Sequence, residues 1–201
     1  VAVSVEKRIY DASIKKNSSY RPLLRGRDIE RYVTKWDGHR WIMYGNNLAA
    51  PRRVEVIVAP EKIVIRQTGD SLIATLDRKQ FICMNNMHTI VQRDRSYDLP
   101  FILGLLNSRL LNFYFQWLNP EKGEALAEVK KEHVEKLAIK RPSEKQHKDI
   151  VNFVSHILSA KAADQAADTA ALEGEIDRMV YELYGLTEEE VAIVEDTSSA
   201  R

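Results

Sequence analysis

The chain of 201 residues is 44% hydrophobic and 29% charged, with a formal net charge of +1; this is the composition of an ordinary soluble globular protein, long enough for one large packed unit with an appendage. No apolar run approaches the roughly 20 residues that a bilayer-spanning helix needs, which excludes a transmembrane protein. The near-neutral total conceals a segregation, because residues 1–95 hold 18 Lys and Arg against 10 Asp and Glu, whereas residues 161–201 hold 3 against 11.

In chain order, YRPLLRGRDIERYVTKWDGHRWIMY over residues 20–44 predicts a turn at Gly26 and a brief helical or extended piece over residues 29–32. A hairpin follows, with Trp36, Asp37 and Gly38 supplying its turn and residues 41–44 the returning strand. Residues 54–58 read as a strand or a short helix, and KIVIR after Pro60 predicts a buried strand with polar ends. Residues 71–75, 81–84 and 88–92 are short β-rich pieces. Asp77, Arg78 and Lys79, then Asn85 and Asn86, separate them with turn composition, so a meandering antiparallel sheet is expected. After Pro100 the period changes. Ile102, Leu105, Leu106, Leu110, Phe113 and Trp117 fall at helical spacing and predict one buried helix with Trp117 in the core.

Residues 131–134 read as a short helix and residues 135–140 as a short strand closed by Pro142. Ser143 is placed to cap a helix with Gln146 at the capping-box position, and Ile150, Val151, Val154, Ile157 and Leu158 form its apolar stripe through Ala160. The Ala- and Asp-rich residues 162–171 read as a thin-faced helix or a linker. A last helix through Ile176, Met179, Val180, Leu183 and Tyr184 stops at Gly185, Thr187 begins another helical turn, and residues 197–201 are expected to be mobile.

The basic first half predicts a polyanion partner, because phosphate neutralisation by Lys and Arg supplies most non-specific nucleic-acid affinity. Eleven arginines from Arg21 to Arg95 outnumber the lysines of that stretch, and guanidinium suits bidentate contact with phosphate or guanine; the plainer reading is a solvated charged surface. Cys83, the one cysteine, can form no disulfide within the chain and fits a reducing cytoplasm. The opening VAVSVEKRIYD has neither an initiator Met nor a signal-peptide pattern, which reads as a piece of a longer protein.

Motifs for chemistry are sparse. The glycines make no phosphate loop or dinucleotide fingerprint, and the five histidines make no metal-binding pattern. Glu128, Val129 and Lys130 supply only a fragment of a magnesium-dependent nuclease centre. The base-gripping Asp/Asn-Pro-Pro-aromatic run of an amino-group methyltransferase is missing. The expectation is a non-catalytic chain with no cofactor or metal of its own.

YRPLLRGRDIERY (residues 20–32), PEKIVIRQTGDSLIATLD (60–77) and LPFILGLLNSRLLNFYF (99–115), in that order, resemble the TaqI-like C-terminal specificity domain of type II and IIG DNA adenine methyltransferases and restriction-modification enzymes. LAIKRPSEKQHKDIVNFV and EIDRMVYELYGLTEEEVAIVED resemble the segments that close such modules. The resemblance implies double-stranded DNA as partner, and an N-terminal methyltransferase domain of the same parent chain that holds S-adenosylmethionine. The resemblance covers about residues 18–160. The expected fold is α+β, with a curved, antiparallel-rich sheet over residues 1–142, a helical extension over 143–196 and a disordered tail over 197–201.

Candidate DNA contacts are Arg25 and Arg27, to phosphate or base from the loop around Gly26, with Arg31, Arg40, Arg52 and Arg53. Candidate base readers are Arg66, Gln67, Arg78, Lys79, Asn85, Asn86 and His88, with Trp36 as a stacking or wedging residue. Salt bridges, hairpin polarity and backbone capping are the plainer roles for the same side chains. The competing functions are a protein-interaction module of a phage-defence methyltransferase complex, and a stand-alone nuclease using Glu128 and Lys130.

Overall fold

The computed structural model describes residues 11–45, 53–93 and 96–199. Strands β1 (Asp11–Ala12) and β2 (Tyr20–Leu24) lead into a 3-10 turn at Gly26–Asp28, and β3 (Ile29–Glu30) with β4 (Val33–Thr34) forms a small hairpin. Strand β5 (Trp41–Met43) does not close a hairpin on the segment before it, as its turn chemistry suggested; it lies antiparallel between β1 and β2. Residues 54–58 take the helical alternative as α1 (Val54–Val58). Next come β6 (Lys62–Arg66), β7 (Ala74–Asp77), β8 (Ile82–Cys83) and β9 (Met87–Ile90). One sheet has the order β1-β5-β2-β8, with β8 parallel to β2; the other is the antiparallel β7-β6-β9.

β6 is buried from Lys62 to Ile65 because both of its faces are covered there. Alternate side chains of a strand point to opposite faces. Ile63 and Ile65 join the main core with the helices, while Val64 joins a second core with Leu24, Ile29, Phe81, Cys83 and Met87. The polar start of the strand is buried as well. Lys62 Nζ lies 2.6 Å from Asp77 Oδ2, with side-chain exposures of 1% and 0%. The Asp77 carboxylate also accepts the backbone N–H groups of Lys79 (2.7 Å) and Phe81 (2.9 Å).

The expected single helix is two, α2 (Leu99–Asn107) and α3 (Arg109–Leu118). Ser108 is extended between them and caps α3 through its hydroxyl, which accepts the Leu111 N–H. The Asn107 side chain acts as a piece of strand: its oxygen accepts the Ala74 N–H at 3.1 Å and its amide donates to the Ala74 carbonyl at 3.0 Å. The break resets the helical phase, so Leu111 and Phe115 enter the core while Trp117, expected there, is 75% exposed and stacks on Tyr114.

Short helix α4 (Lys131–Val134) forms as expected, but residues 135–140 make no strand. Ser143 and Gln146 form the expected capping box of α5 (Glu144–Ala163), a turn longer than its apolar stripe. Gly104 lets α2 lie close on α5; a Cβ there would stand 3.0 Å from methyls of Ile150 and Val154. Helix α6 (Ala170–Tyr184) ends at left-handed Gly185, and α7 (Glu188–Ser199) carries helix past residue 197, where mobility was expected. The fold is thus α+β, antiparallel-rich sheets followed by helices, with α5 and α6 contributing Ile150, Val154, Ile157, Ile176 and Val180 to the main core.

Removing one partner of a buried ion pair leaves the other charge uncompensated, at a cost of about 3–5 kcal/mol. Lys62→Met is expected to lower the urea-unfolding free energy by about that amount, and Lys62→Met with Asp77→Asn by clearly less, because no lone charge is then buried.

Candidate nucleic-acid interface

Parallel pairing of β2 with β8 makes the two strands end together, and the ladder continues as Met84 N–H donates to the Leu24 carbonyl at 3.0 Å. The turn over residues 25–28 therefore lies beside the turn over residues 84–86. β6 ends at the same place: Arg66 pairs with Met87, and Gln67 N–H donates to the Asn86 carbonyl at 3.1 Å. Arg40 enters from the opposite side, its carbonyl accepting the Leu23 N–H at 3.0 Å. Four turns, over residues 25–28, 36–40, 66–69 and 84–86, thus form one edge.

Glycine makes this edge close. Gly26 is buried, and a Cβ on it would stand 3.1 Å from Arg66 Cγ and 3.3 Å from the Asn86 carbonyl oxygen. Arg25 is committed within the turn, with Nε and Nη2 at 3.1 and 2.9 Å from the Asp28 carboxylate, which also accepts the Arg25 backbone N–H. Arg27 is exposed and makes no ion pair among the described residues. Burial first, then the neighbouring Arg25 and more weakly Arg27, hold the Arg40 guanidinium below its ordinary range, while Asp28 and Asp37 pull the other way. Arg66 Nε donates to the Thr68 carbonyl at 2.9 Å, and Gln67 Nε2 to Glu128 at 3.0 Å. Asn85 is exposed at the tip, and Asn86 Oδ1 is shielded without a donor among the described residues.

Residues 21–139 match the model of the TaqI-like C-terminal specificity domain. The chain belongs to this family. Its three-dimensional structure is similar to that of the type IIL restriction-modification enzyme MmeI in complex with DNA, with a TM-score of 0.63 and 15% identity. The alignment covers 92% of this chain and 31% of that one; at that identity the likeness establishes a shared fold. No curated protein gives a significant match.

The specificity domain does not gather all the residues that its sequence nominates. Arg78 and Lys79 sit at the other end of β6 from Arg66 and Gln67, because Asp77 pairs with Lys62; four strand steps separate the ends by about 13 Å. There Arg78 Nε donates to Glu61 at 2.6 Å, and Lys79 is exposed. Arg31 turns to the helices, pairing with Glu173 of α6 at 2.5 Å and donating to the Asn107 carbonyl. Arg53 is exposed ahead of α1, in a cleft with Glu55, Glu61 and Arg93; Arg52 lies outside the described residues. Trp36 is half-buried, edge-on to Trp41 and Phe81 at 5.2 and 5.3 Å. His88 Nε2 lies 2.6 Å from the Val129 carbonyl, the backbone-satisfying role.

One contributor to the edge has no local signature in the sequence. The loop over residues 119–129 seats on the β6 turn as Gly69 N–H donates to the Ala127 carbonyl (2.8 Å), Val129 N–H donates to the Gln67 carbonyl (2.6 Å), and Thr68 bridges to Glu128. Partners some 60 residues apart leave no spacing to read. The nuclease fragment is divided by the same contacts: Glu128 accepts from Gln67, whereas Lys130 pairs with Glu121, whose carboxyl it holds below the ordinary range. Among the described residues no three His, Cys, Asp or Glu side chains cluster to hold a metal, and no helix is long and apolar enough to cross a membrane.

Hydrogen bonds to charged groups contribute about 1.5–3 kcal/mol, while exposed substitutions usually stay within about 0.5 kcal/mol. Arg25→Ala is therefore expected to destabilise the fold by about 1–3 kcal/mol and Arg27→Ala not measurably, as read from thermal or urea unfolding of the two variants.

Proposed function

We propose that this specificity domain recognises double-stranded DNA sequence for a restriction-modification methyltransferase system. The observation that carries the reading is the edge where Arg27, Arg40, Arg66, Gln67, Asn85 and Asn86 converge on turns brought together by β2, β6 and β8. Two kinds of chemistry meet there. Guanidinium groups neutralise phosphate and fix the register on the duplex, which carries no sequence information. Amide and guanidinium side chains on neighbouring turns match base edges in the major groove, Arg with guanine and Asn or Gln with adenine, at about 1–3 kcal/mol of discrimination per good bidentate contact.

The division of labour rests on membership of a specificity-domain family and on the resemblance to adenine methyltransferases. The domain reads; a methyltransferase domain of the parent chain, holding S-adenosylmethionine, carries out transfer to the N6 amino group of an adenine flipped out of the stack. Such a system works in a bacterial or archaeal cytoplasm. Arg78 and Lys79, at the far end of β6, extend the contact along the backbone of a bound duplex rather than to the same base pairs, and Arg53 beside α1 offers a further phosphate contact. Arg25 and Arg31 act indirectly, by holding the turn and the helices.

The test is a mobility-shift titration of the chain with a random-sequence duplex over a range of salt concentrations. The logarithm of the binding constant is expected to fall linearly with the logarithm of salt, and Arg27→Ala to reduce the slope by about 1. Arg31→Ala is expected to leave the slope unchanged. Binding that is absent at low salt, or indifferent to salt, contradicts the reading.

A further inference from the structure

The geometry points to a seat for one phosphate group, formed by Arg27 and Arg40 where the 3-10 turn meets the loop over residues 36–40. Backbone bonds fix each segment beside the start of the other's flank, Lys35 N–H to the Asp28 carbonyl (2.7 Å) and Leu23 N–H to the Arg40 carbonyl (3.0 Å), so the fold sets the place of both turns. Arg25 is neutralised by Asp28, and Lys35 is paired with Glu30. The Asp37 carboxylate accepts the His39 N–H of its own loop at 2.9 Å, a bond that keeps it ionised. Among the described residues neither Arg27 nor Arg40 forms an ion pair, although the Asp28 and Asp37 carboxylates lie near enough to Arg40 to act on it.

Unmet donors mark the same place. Arg40 Nε and Trp36 Nε1, both on this loop, are shielded from solvent with no acceptor among the described residues. Buried N–H groups are nearly always satisfied, and a donor-only set of two guanidiniums and an indole is complementary to phosphate oxygens, which only accept. Bound there, a phosphate would clamp the turn that carries Gly26 against Arg66 and Asn86 and so fix the base-reading side chains. In its ligand the seat rests on the DNA-recognition reading, since a backbone phosphodiester is the phosphate that such a domain meets; its donor chemistry does not depend on that reading.

The experiment follows the Arg Nε–H and Trp indole N–H signals of the 15N-labelled whole chain. Inorganic phosphate is titrated against chloride at matched ionic strength, then a random-sequence duplex is added. The Arg40 Nε–H and Trp36 indole signals are expected to shift with phosphate and with duplex but not with chloride, while the exposed Trp117 indole stays in place on adding phosphate. Arg27→Ala should weaken the phosphate response about tenfold, the equivalent of roughly 1.4 kcal/mol, and Arg40→Gln should abolish it with the fold intact. A shift with duplex alone assigns the seat to backbone phosphate. Equal shifts with chloride, or no movement of either signal while duplex perturbs amides elsewhere, overturn the seat and leave DNA recognition standing. A phosphate shift with no response to duplex anywhere keeps the seat and overturns DNA recognition.

Discussion

The structure depends on a five-residue strand that is buried on both faces. β6 sends Ile63 and Ile65 into the helical core and Val64 into the core beneath β2 and β8, so a register slip of one residue would exchange the two sets. Its ends are fixed by different means. At one, the Lys62–Asp77 pair is sealed from solvent; at the other, Arg66 and Gln67 emerge among turns tied by backbone hydrogen bonds. A strand anchored in two cores that ends at a surface is a good mount for the proposed recognition, because side chains at its end inherit the precision of the core.

The charge segregation has a structural use. Acidic helices near the C-terminus hold selected arginines: Glu173 takes Arg31, and Asp177 with Glu195 takes Arg109 at the start of α3. The Asp177 carboxyl is pushed up by burial, although the Arg109 guanidinium and N–H oppose the shift, and the Tyr181 hydroxyl beside it is pushed up to about 12. None of these acids pairs with Arg27, Arg40 or Arg66 among the described residues. The helices therefore brace the sheets without neutralising the edge that carries the basic turns.

What was legible in the sequence was local. KIVIR identified β6, Ser143 with Gln146 identified the start of α5, and Gly185 the end of α6, each through chemistry contained within a few residues. What was not legible was set by distant partners. LLNSRLLNF reads as unbroken helix, yet Asn107 is drawn to the Ala74 backbone and Ser108 restarts the helix, which turns Trp117 out to solvent. β5 follows good hairpin chemistry but pairs with β1 and β2, and Lys62 looks like a solvated strand end until Asp77 is placed beside it. The candidate site shows the same division. Arginine content was visible from composition, but whether a given arginine faces a carboxylate, as Arg25, Arg31 and Arg78 do, or an open edge, as Arg27 does, is decided by tertiary contacts.

Hydrogen exchange of the chain with and without double-stranded DNA decides whether the edge at the end of β6 is the surface that meets a duplex. Protection on binding is expected at the turns over residues 25–28, 36–40, 66–69 and 84–86, with α7 unaffected. Protection confined to α6 and α7, or absent from all four turns while DNA is bound, would contradict it.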